Sequence, residues 1–293
     1  MTRKVLLITN PAARRGAAWH GPALGAFRAA GVACDAVITE HAGHGGEVAR
    51  AEASRVDAVF VLGGDGTAVE IIGALAGTGV PVGILPGGTG NQLARSLHIP
   101  LDVRRAVPVL LAGERRALDL GCLASGRRFA YTAGVGGDAA MIAETSAALK
   151  RALGIPAYSL AALRVGLRTH RFDVHAVVDG RTIERAASFA MIANVGTIMS
   201  GLFAFGPDIR ADDGMLDLCL FSPRNAADML RIVYRLYRRD FRPDPGMLHV
   251  RGHEFQIETA TPEPMQVDGE LLQPAPLHVR VAPRAALLLV PAA

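Results

Sequence analysis

Gly63-Gly64-Asp65-Gly66-Thr67 follows the apolar run 58–62 and opens a helical pattern. Glycines let the chain turn sharply and bring main-chain N–H groups up to phosphate oxygens with no Cβ in the way. The unpaired N–H groups at a helix start then bind anions. Asp65 would repel phosphate unless it met a cation or a sugar hydroxyl, so it points to magnesium. A structural Gly-Asp-Gly turn accounts for the same residues equally well. Pro86-Gly87-Gly88-Thr89-Gly90-Asn91 repeats the arrangement after a second apolar strand. A third loop, residues 10–16, follows the first strand. Three such loops at one sheet edge favour a polyphosphate site over three unrelated turns. Two further acidic turns, Asp212-Asp213-Gly214 and Asp268-Gly269-Glu270, could project carboxylates. On spacing alone both read as hairpin turns.

The phosphate loops contain no lysine: of 31 Lys and Arg residues only Lys4 and Lys150 are lysines. A Walker-type loop is therefore excluded. Cationic work falls to N–H groups, a metal, or arginines such as Arg14, Arg15 and Arg95. Most of the other arginines reflect coding bias.

The elements that must position these loops alternate. Strand signals at residues 5–9, 33–39, 58–62 and 82–85 are separated by helical stretches at 17–30, 46–55, 68–75 and 92–97. That order predicts a parallel sheet covered on both faces, with ligands at the carboxyl ends of its strands. Beyond residue 118 the pattern changes. Strand-like runs at 127–133, 172–178, 182–193 and 215–221, with turns such as Asp179-Gly180, predict an antiparallel second domain. Helices are expected at 139–149, 157–169 and 225–239. Arg231, Arg235, Arg238 and Arg239 lie at a spacing that makes a cationic helix face, solvated or turned to a membrane.

A length of 293 residues fits two domains. Three unpaired cysteines read as small apolar residues in a reducing compartment. Aromatic residues make up only 5% of the chain with no basic interleaving, which argues against nucleic-acid binding by base stacking. The uncharged stretches 71–94 and 188–207 are broken by glycines and suit buried strands rather than membrane spans. The start shows no signal-peptide pattern, so a cytoplasmic location is expected.

Asn10-Pro11, Gly63–Thr67 with Glu70, and Pro86-x-Gly88-Thr89-x-Asn91 with Ala94-Arg95 resemble the lipid kinase family of soluble bacterial diacylglycerol kinases and sphingosine kinases. The glycine–aspartate loop is shared more distantly with NAD kinases. The resemblance continues through Asp119 with Gly121, residues 131–138, Leu153-Gly154-Ile155-Pro156-Ala157-Tyr158, Asp212-Asp213-Gly214-x-Leu216-Asp217 and Asp268-Gly269-Glu270.

The resemblance implies an α/β fold. A Rossmann-like ATP-binding α/β domain would span residues 1–118, rejoined by a terminal strand at about 279–293. A β-sandwich lipid-substrate domain would span 119–278. It implies ATP and Mg2+ as cofactors. Asn10, Pro11, Ala12, Ala13, Arg14 and Thr39 would lie along the nucleotide. Gly64, Asp65, Gly66, Thr67 and Glu70 would hold phosphates and ribose, with Gly88, Thr89 and Asn91 also at the nucleotide. Glu270 would be the proton acceptor, and Asp65, Asp119 and Asp268 the acidic network around catalytic magnesium. Asp213 and the Met215 carbonyl would bind a structural magnesium. The remaining ligand position falls on Arg210, whose side chain cannot ligate a cation, leaving its backbone carbonyl as the donor.

The expected reaction is phosphorylation of a lipid hydroxyl, foremost diacylglycerol to phosphatidic acid, within phospholipid metabolism. The expected partner is a membrane lipid, met by peripheral membrane contact, with a homodimer left open and no nucleic acid. The uncharged stretch 188–207 could line an acyl groove, its first half being core. Two alternatives stand beside this: an NAD kinase-like enzyme with a soluble acceptor, and a degenerate nucleotide-binding regulator. Three departures from the family pattern are Val69 for the usual Asn, Gln92 for an acidic residue, and Ala-Ala-Arg-Arg in the first loop.

Overall fold

A computed structural model of the chain describes residues 4–137, 139, 170–198 and 201–292. The helices expected at 139–149 and 157–169, Ala139 aside, lie outside the described residues, as does the Leu153–Tyr158 segment. The chain forms two compact units: Met1–Leu118 with Arg284–Ala293, and Asp119–Pro283.

The first unit runs β1 (Lys4–Thr9), α1 (Gly16–Ala29), β2 (Ala33–Ile38), α2 (His44–Glu52), β3 (Ala58–Gly63), α3 (Asp65–Leu75), β4 (Val82–Pro86), α4 (Gln92–Ser96) and α5 (Val103–Leu111). Its strands pair in the order β2-β1-β3-β4, all parallel. Every residue of β3 is buried, as is all of β1 after Lys4. A sheet covered by helices on both faces needs such unbroken apolar strands. Phe27 of α1 meets Phe60 of β3 edge to face, ring centroids 4.7 Å apart. Truncating either ring would cost about 3–5 kcal/mol. Helix α3 starts at Asp65, three residues earlier than expected, which puts the glycine–aspartate loop into the helix's first turn. Helix α5 was not expected. Its buried Val103, Ala106, Val107 and Leu110 have helical spacing, and Asp102 caps it by accepting from Arg104 N.

In the second unit the elements are β5 (Glu114–Leu123, entered from the first unit), β6 (Arg128–Phe129), β7 (Thr132–Gly136), β8 (Phe172–Val178), β9 (Arg181–Ala187), β10 (Phe189–Ala193), β11 (Thr197–Ile198), β12 (Phe203–Ala204), β13 (Leu216–Phe221), α6 (Ala226–Arg238), β14 (Met247–Gly252), β15 (Glu254–Thr259), β16 (Met265–Val267), β17 (Glu270–Leu272) and β18 (Leu277–Val290). One antiparallel sheet has the order β14-β13-β10-β7-β16-β17, and a second runs β18-β15-β8-β9. Their inner faces share one core, with Val135, Ile192 and Leu218 from the first sheet and Val174, Phe255 and Val279 from the second. This is a β-sandwich.

Three expectations change. The single strand read at 182–193 is two strands in different sheets. The chain crosses at buried Ser188, whose N–H donates to Phe221 O and whose carbonyl accepts from Gly137 N. The run 127–133 likewise splits into β6 and β7. The terminal strand begins at Leu277, and only its last part belongs to the first unit, where Leu288 and Leu289 pair with β4. Pro283 offers no N–H and Arg284 has φ 51°, both at the point where the strand passes from one unit to the other. Of the cysteines only Cys219 is fully buried; Cys34 and Cys122 are half-buried.

Candidate functional site

In the first unit, main-chain bonds lock the three loops together. Gly87 N donates to Gly63 O (2.8 Å) and Arg15 N to Gly87 O (2.8 Å). Asn10 Nδ2 donates to Thr67 Oγ1 (2.9 Å), while Asn10 Oδ1 accepts from Ala12 N. Asp65 Oδ1 accepts from Leu93 N (3.2 Å), tying the first turns of α3 and α4. Thr39 N donates to Thr9 O, which holds the ends of β1 and β2 at the same edge. All these contacts sit at the carboxyl ends of parallel strands, where such sheets bind ligands.

The two glycine loops touch backbone to backbone. A Cβ on Gly88 would stand 2.6 Å from Gly64 Cα. By contrast, a Cβ on Gly66 would meet nothing within 4 Å. Packing therefore demands glycine at Gly88 and leaves Gly66 free for another reason. Asn91, itself at φ 48°, clamps the second loop: its Oδ1 accepts from Gly88 N and its Nδ2 donates to Gly88 O, both 2.9 Å. Glu70 Oε1 accepts from Gly46 N (2.7 Å), so one of its oxygens supports α2. Pro11, Ala12, Arg14 and Thr89 lie exposed at the rim, with Ala13 half-buried. Arg95 Nε donates to Gly90 O, and the Arg15 guanidinium stacks 4.7 Å over the Trp19 ring. Both arginines are thereby oriented by the protein.

The second unit assembles its own acidic cluster. Asp268 and Gly269 both have positive φ, 49° and 86°, in the two-residue turn joining β16 and β17. A turn of this type matches the twist of the strands. The hairpin reading of the sequence was thus right here and wrong for Asp212-Asp213-Gly214, since β13 after it pairs with β10 and β14 and not with the preceding β12; the Asp268 side chain does more than turn the chain. Its Oδ1 accepts from Tyr131 N (2.8 Å) and Thr132 N (3.1 Å), its Oδ2 from Ala130 N (2.8 Å). Burial pushes its carboxyl up to about 6, against the pull of those N–H groups and Arg127. Glu270 is exposed and its Oε2 accepts from Arg127 (2.7 Å).

Buried Asn194 Nδ2 donates to both Asp119 O and Ala130 O, and Asp119 Oδ2 accepts from Gly214 N (2.6 Å). One network thus joins Asp119, the 210–214 loop and the Asp268 turn. Sequence reading missed Asn194, Arg127 and Gln266. Gln266 lies two residues before Asp268, and its amide bonds Thr132 Oγ1 and Gly269 N. Its polar side chain in an apolar strand was a usable signal. Arg127 and Asn194 carried none.

At the expected structural magnesium position, the Asp213 and Arg210 side chains already have protein partners. Asp213 is ion-paired with Arg251, whose Nε also lies 3.3 Å from buried Asp217. His249 Nε2 sits 2.8 Å from the same Asp217 oxygen. The Arg210 side chain pairs with Asp212, its Nε 3.1 Å from the carboxylate. Arg251 already supplies the positive charge that a cation would bring. Asp65 fits a nucleotide-borne cation better: a Cβ on Gly90 would lie 3.1 Å from its Oδ2, so glycine there leaves that oxygen room. Among the described residues no cluster of three or more His, Cys, Asp or Glu could hold a metal by itself.

The stretch 188–207 forms core for the most part. Met191 and Ala193 are buried, with Phe189, Phe203 and Phe205 packed on the same cluster as Ile232 and Leu236 of α6. Only Leu202 is exposed among its large apolar residues that are described.

An α/β unit with linked phosphate-type loops, followed by a β-sandwich bearing an acidic turn, defines the kinase class of protein. Residues 4–123 match the family model described as diacylglycerol kinase catalytic domain. Residues 131–290 match that described as YegS C-terminal NAD kinase beta sandwich-like domain. The chain belongs to this diacylglycerol kinase family of lipid kinases. It is 29% identical over 244 residues to a Staphylococcus carnosus protein named diacylglycerol kinase, covering 82% of this chain and 79% of that one. It is 30% identical over 238 residues to a Synechocystis sp. protein described as uncharacterized, covering 80% of this chain; the chain spans about half (54%) of that protein's length. A crystal structure from Bacillus anthracis str. Sterne, described as a diacylglycerol kinase, superposes with a TM-score of 0.80 at 25% identity, covering 98% of this chain and 97% of that one.

Proposed function

We propose that the protein transfers the terminal phosphoryl group of ATP to a lipid hydroxyl, foremost that of diacylglycerol, giving phosphatidic acid and ADP. The observation that carries this is the hydrogen-bonded union of three loops in the first unit. Phosphoryl transfer asks mainly for positioning and charge neutralisation. The N–H groups around Gly64–Thr67 and Gly88–Thr89 would bind the phosphates, with Asn10 and residues 11–14 along the nucleoside and Thr39 near it. Arg14, exposed at the rim, would add positive charge. Magnesium would neutralise the phosphate oxygens, held on the protein side by Asp65. The resemblance also assigns Asp119 and Asp268, both of the second unit, to the acidic network.

In the second unit, Glu270 would take the proton of the attacking hydroxyl as the new P–O bond forms and the bond to the leaving ADP oxygen breaks. Arg127 would orient that carboxylate. Buried Asp268 would fix the turn from which Glu270 projects.

The names of the Staphylococcus relatives support diacylglycerol as acceptor. The NAD kinase-like description of the second domain favours, as a second reading, a soluble acceptor. No described helix is long and apolar enough to cross a membrane. We place the protein in the cytoplasm, meeting its lipid at the membrane surface. Incubation with γ-labelled ATP and mixed lipid vesicles tests the proposal: label should enter the organic phase as phosphatidic acid. Label confined to a water-soluble product would reject it in favour of the second reading.

A further inference from the structure

Helix α6 has two apolar faces where a packed surface helix needs one. Met229, Ile232 and Leu236 are buried against the sandwich. Leu230, Val233, Tyr234 and Tyr237 follow the same helical spacing on a neighbouring face, and all four are exposed, Tyr234 by 62% and Leu230 by 58%. Exposed Leu202 lies close by. Its neighbour Phe203 meets Tyr237 edge to face at 6.2 Å, and Arg239 donates to Gly201 O. Among the described residues seven large apolar side chains are exposed, and five of them belong to this one patch. A concentration of this kind on an otherwise polar surface marks a contact face.

Charge says what the face meets. Residues 224–244 hold six arginines against three aspartates, so this segment carries three of the chain's net four positive charges. The expected cationic face is nevertheless corrected. Arg231 and Arg235 are both paired with Asp244 beside the helix. The excess sits at the C-terminal end, in Arg238 and Arg239 beside Tyr234 and Tyr237. Tyrosines flanked by arginines suit the boundary between acyl chains and headgroups, with rings half-immersed and cations at the anionic surface. A second copy is a poorer occupant, since a two-fold contact sets the same patch against itself, arginine rim on arginine rim.

We propose that the exposed α6 face docks the protein onto anionic phospholipid bilayers, with Leu230, Tyr234 and Tyr237 entering the interface and Arg238 and Arg239 facing the headgroups. This deepens the lipid-kinase reading and rests on it for its purpose. The experiment separates the two. Sedimentation is carried out without nucleotide, on vesicles of phosphatidylcholine alone or with about a third phosphatidylglycerol. Turnover is measured in parallel on diacylglycerol in detergent micelles.

The full chain should sediment with the anionic vesicles. Leu230→Gln with Tyr234→Gln should raise the lipid concentration for half-binding at least tenfold. Arg238→Gln should raise it about fivefold, as expected for one cation at such a surface. Thermal midpoints and micellar turnover should stay unchanged, since all three side chains are exposed. A full chain that remains in the supernatant, or a double variant that sediments equally, overturns the proposal. So does a dimer in sedimentation velocity that the double variant dissolves. Intact vesicle docking with no micellar turnover would instead reject the kinase reading and leave the docking face standing.

Discussion

Gly88 and Gly66 should respond to the same substitution in opposite ways. A Cβ at Gly88 would stand 2.6 Å from Gly64 Cα and 3.4 Å from Gly64 N. Carbon atoms rest at about 3.5–4.0 Å, so the two loops must part by about 1 Å. Both neighbours are main chain, and Gly87 N is bonded to Gly63 O beside them. Forcing a packed backbone apart costs about 1–3 kcal/mol. Gly88→Ala should therefore lower both the thermal midpoint and ATP affinity, the latter by about tenfold to a hundredfold if the strain falls on the loops. Gly66→Ala meets open space in the first turn of a helix. Alanine should stabilise that turn by up to about 1 kcal/mol. Its methyl group would still stand where phosphate oxygens approach the N–H groups, so ATP affinity should fall while stability holds or rises. Scanning calorimetry and titration of ATP into each variant give both readouts. A Gly66→Ala protein that binds ATP at full strength would refute the placement of phosphate over this loop. A Gly88→Ala protein of unchanged stability would refute the packing account.

Glu270→Gln should cut kcat by at least about a hundredfold with little change in the KM for ATP, since a carboxamide cannot accept the proton; equal turnover in steady-state assays would remove the base assignment. Asp268 is neutral more readily when folded than when unfolded. Its contribution is therefore fully present below about 3.8, declines as pH rises to about 6, and amounts to about 3 kcal/mol at most. Asp268→Asn should flatten the stability of the protein across that window in urea titrations, and an unchanged slope would contradict the buried turn. Because Arg251 already pairs with Asp213, excess chelator should leave the thermal midpoint of the nucleotide-free protein unchanged. A drop of several degrees would restore the structural magnesium.

The first unit was nearly all legible because each of its loops follows an unbroken apolar strand and its helix starts carry the glycines. What could not be read there was which side chains serve the loops themselves. Asn91 and Asn10 have the residue types of ligand contacts, yet their amides hold Gly88 and Thr67. The second unit was harder to read. β10 is buried along nearly its whole length and shows no alternation, so the sheet change at Ser188 left no periodic trace. Arg127 and Glu270 are 143 positions apart, and no local pattern announces such a pair. Helix α6 was recognised from its arginines, but only the fold shows which of them are already paired and that Leu230, Val233, Tyr234 and Tyr237 stand exposed.

The proposed reaction moves a phosphoryl group from bound ATP to a lipid hydroxyl. Mass spectrometry of the lipid extract after incubation with magnesium, ATP and diacylglycerol vesicles tests it most directly. Phosphatidic acid should form in step with ADP, and at least about a hundredfold more slowly with Glu270→Gln. ADP formed with no change in any lipid, or phosphate recovered on a water-soluble acceptor, would contradict it.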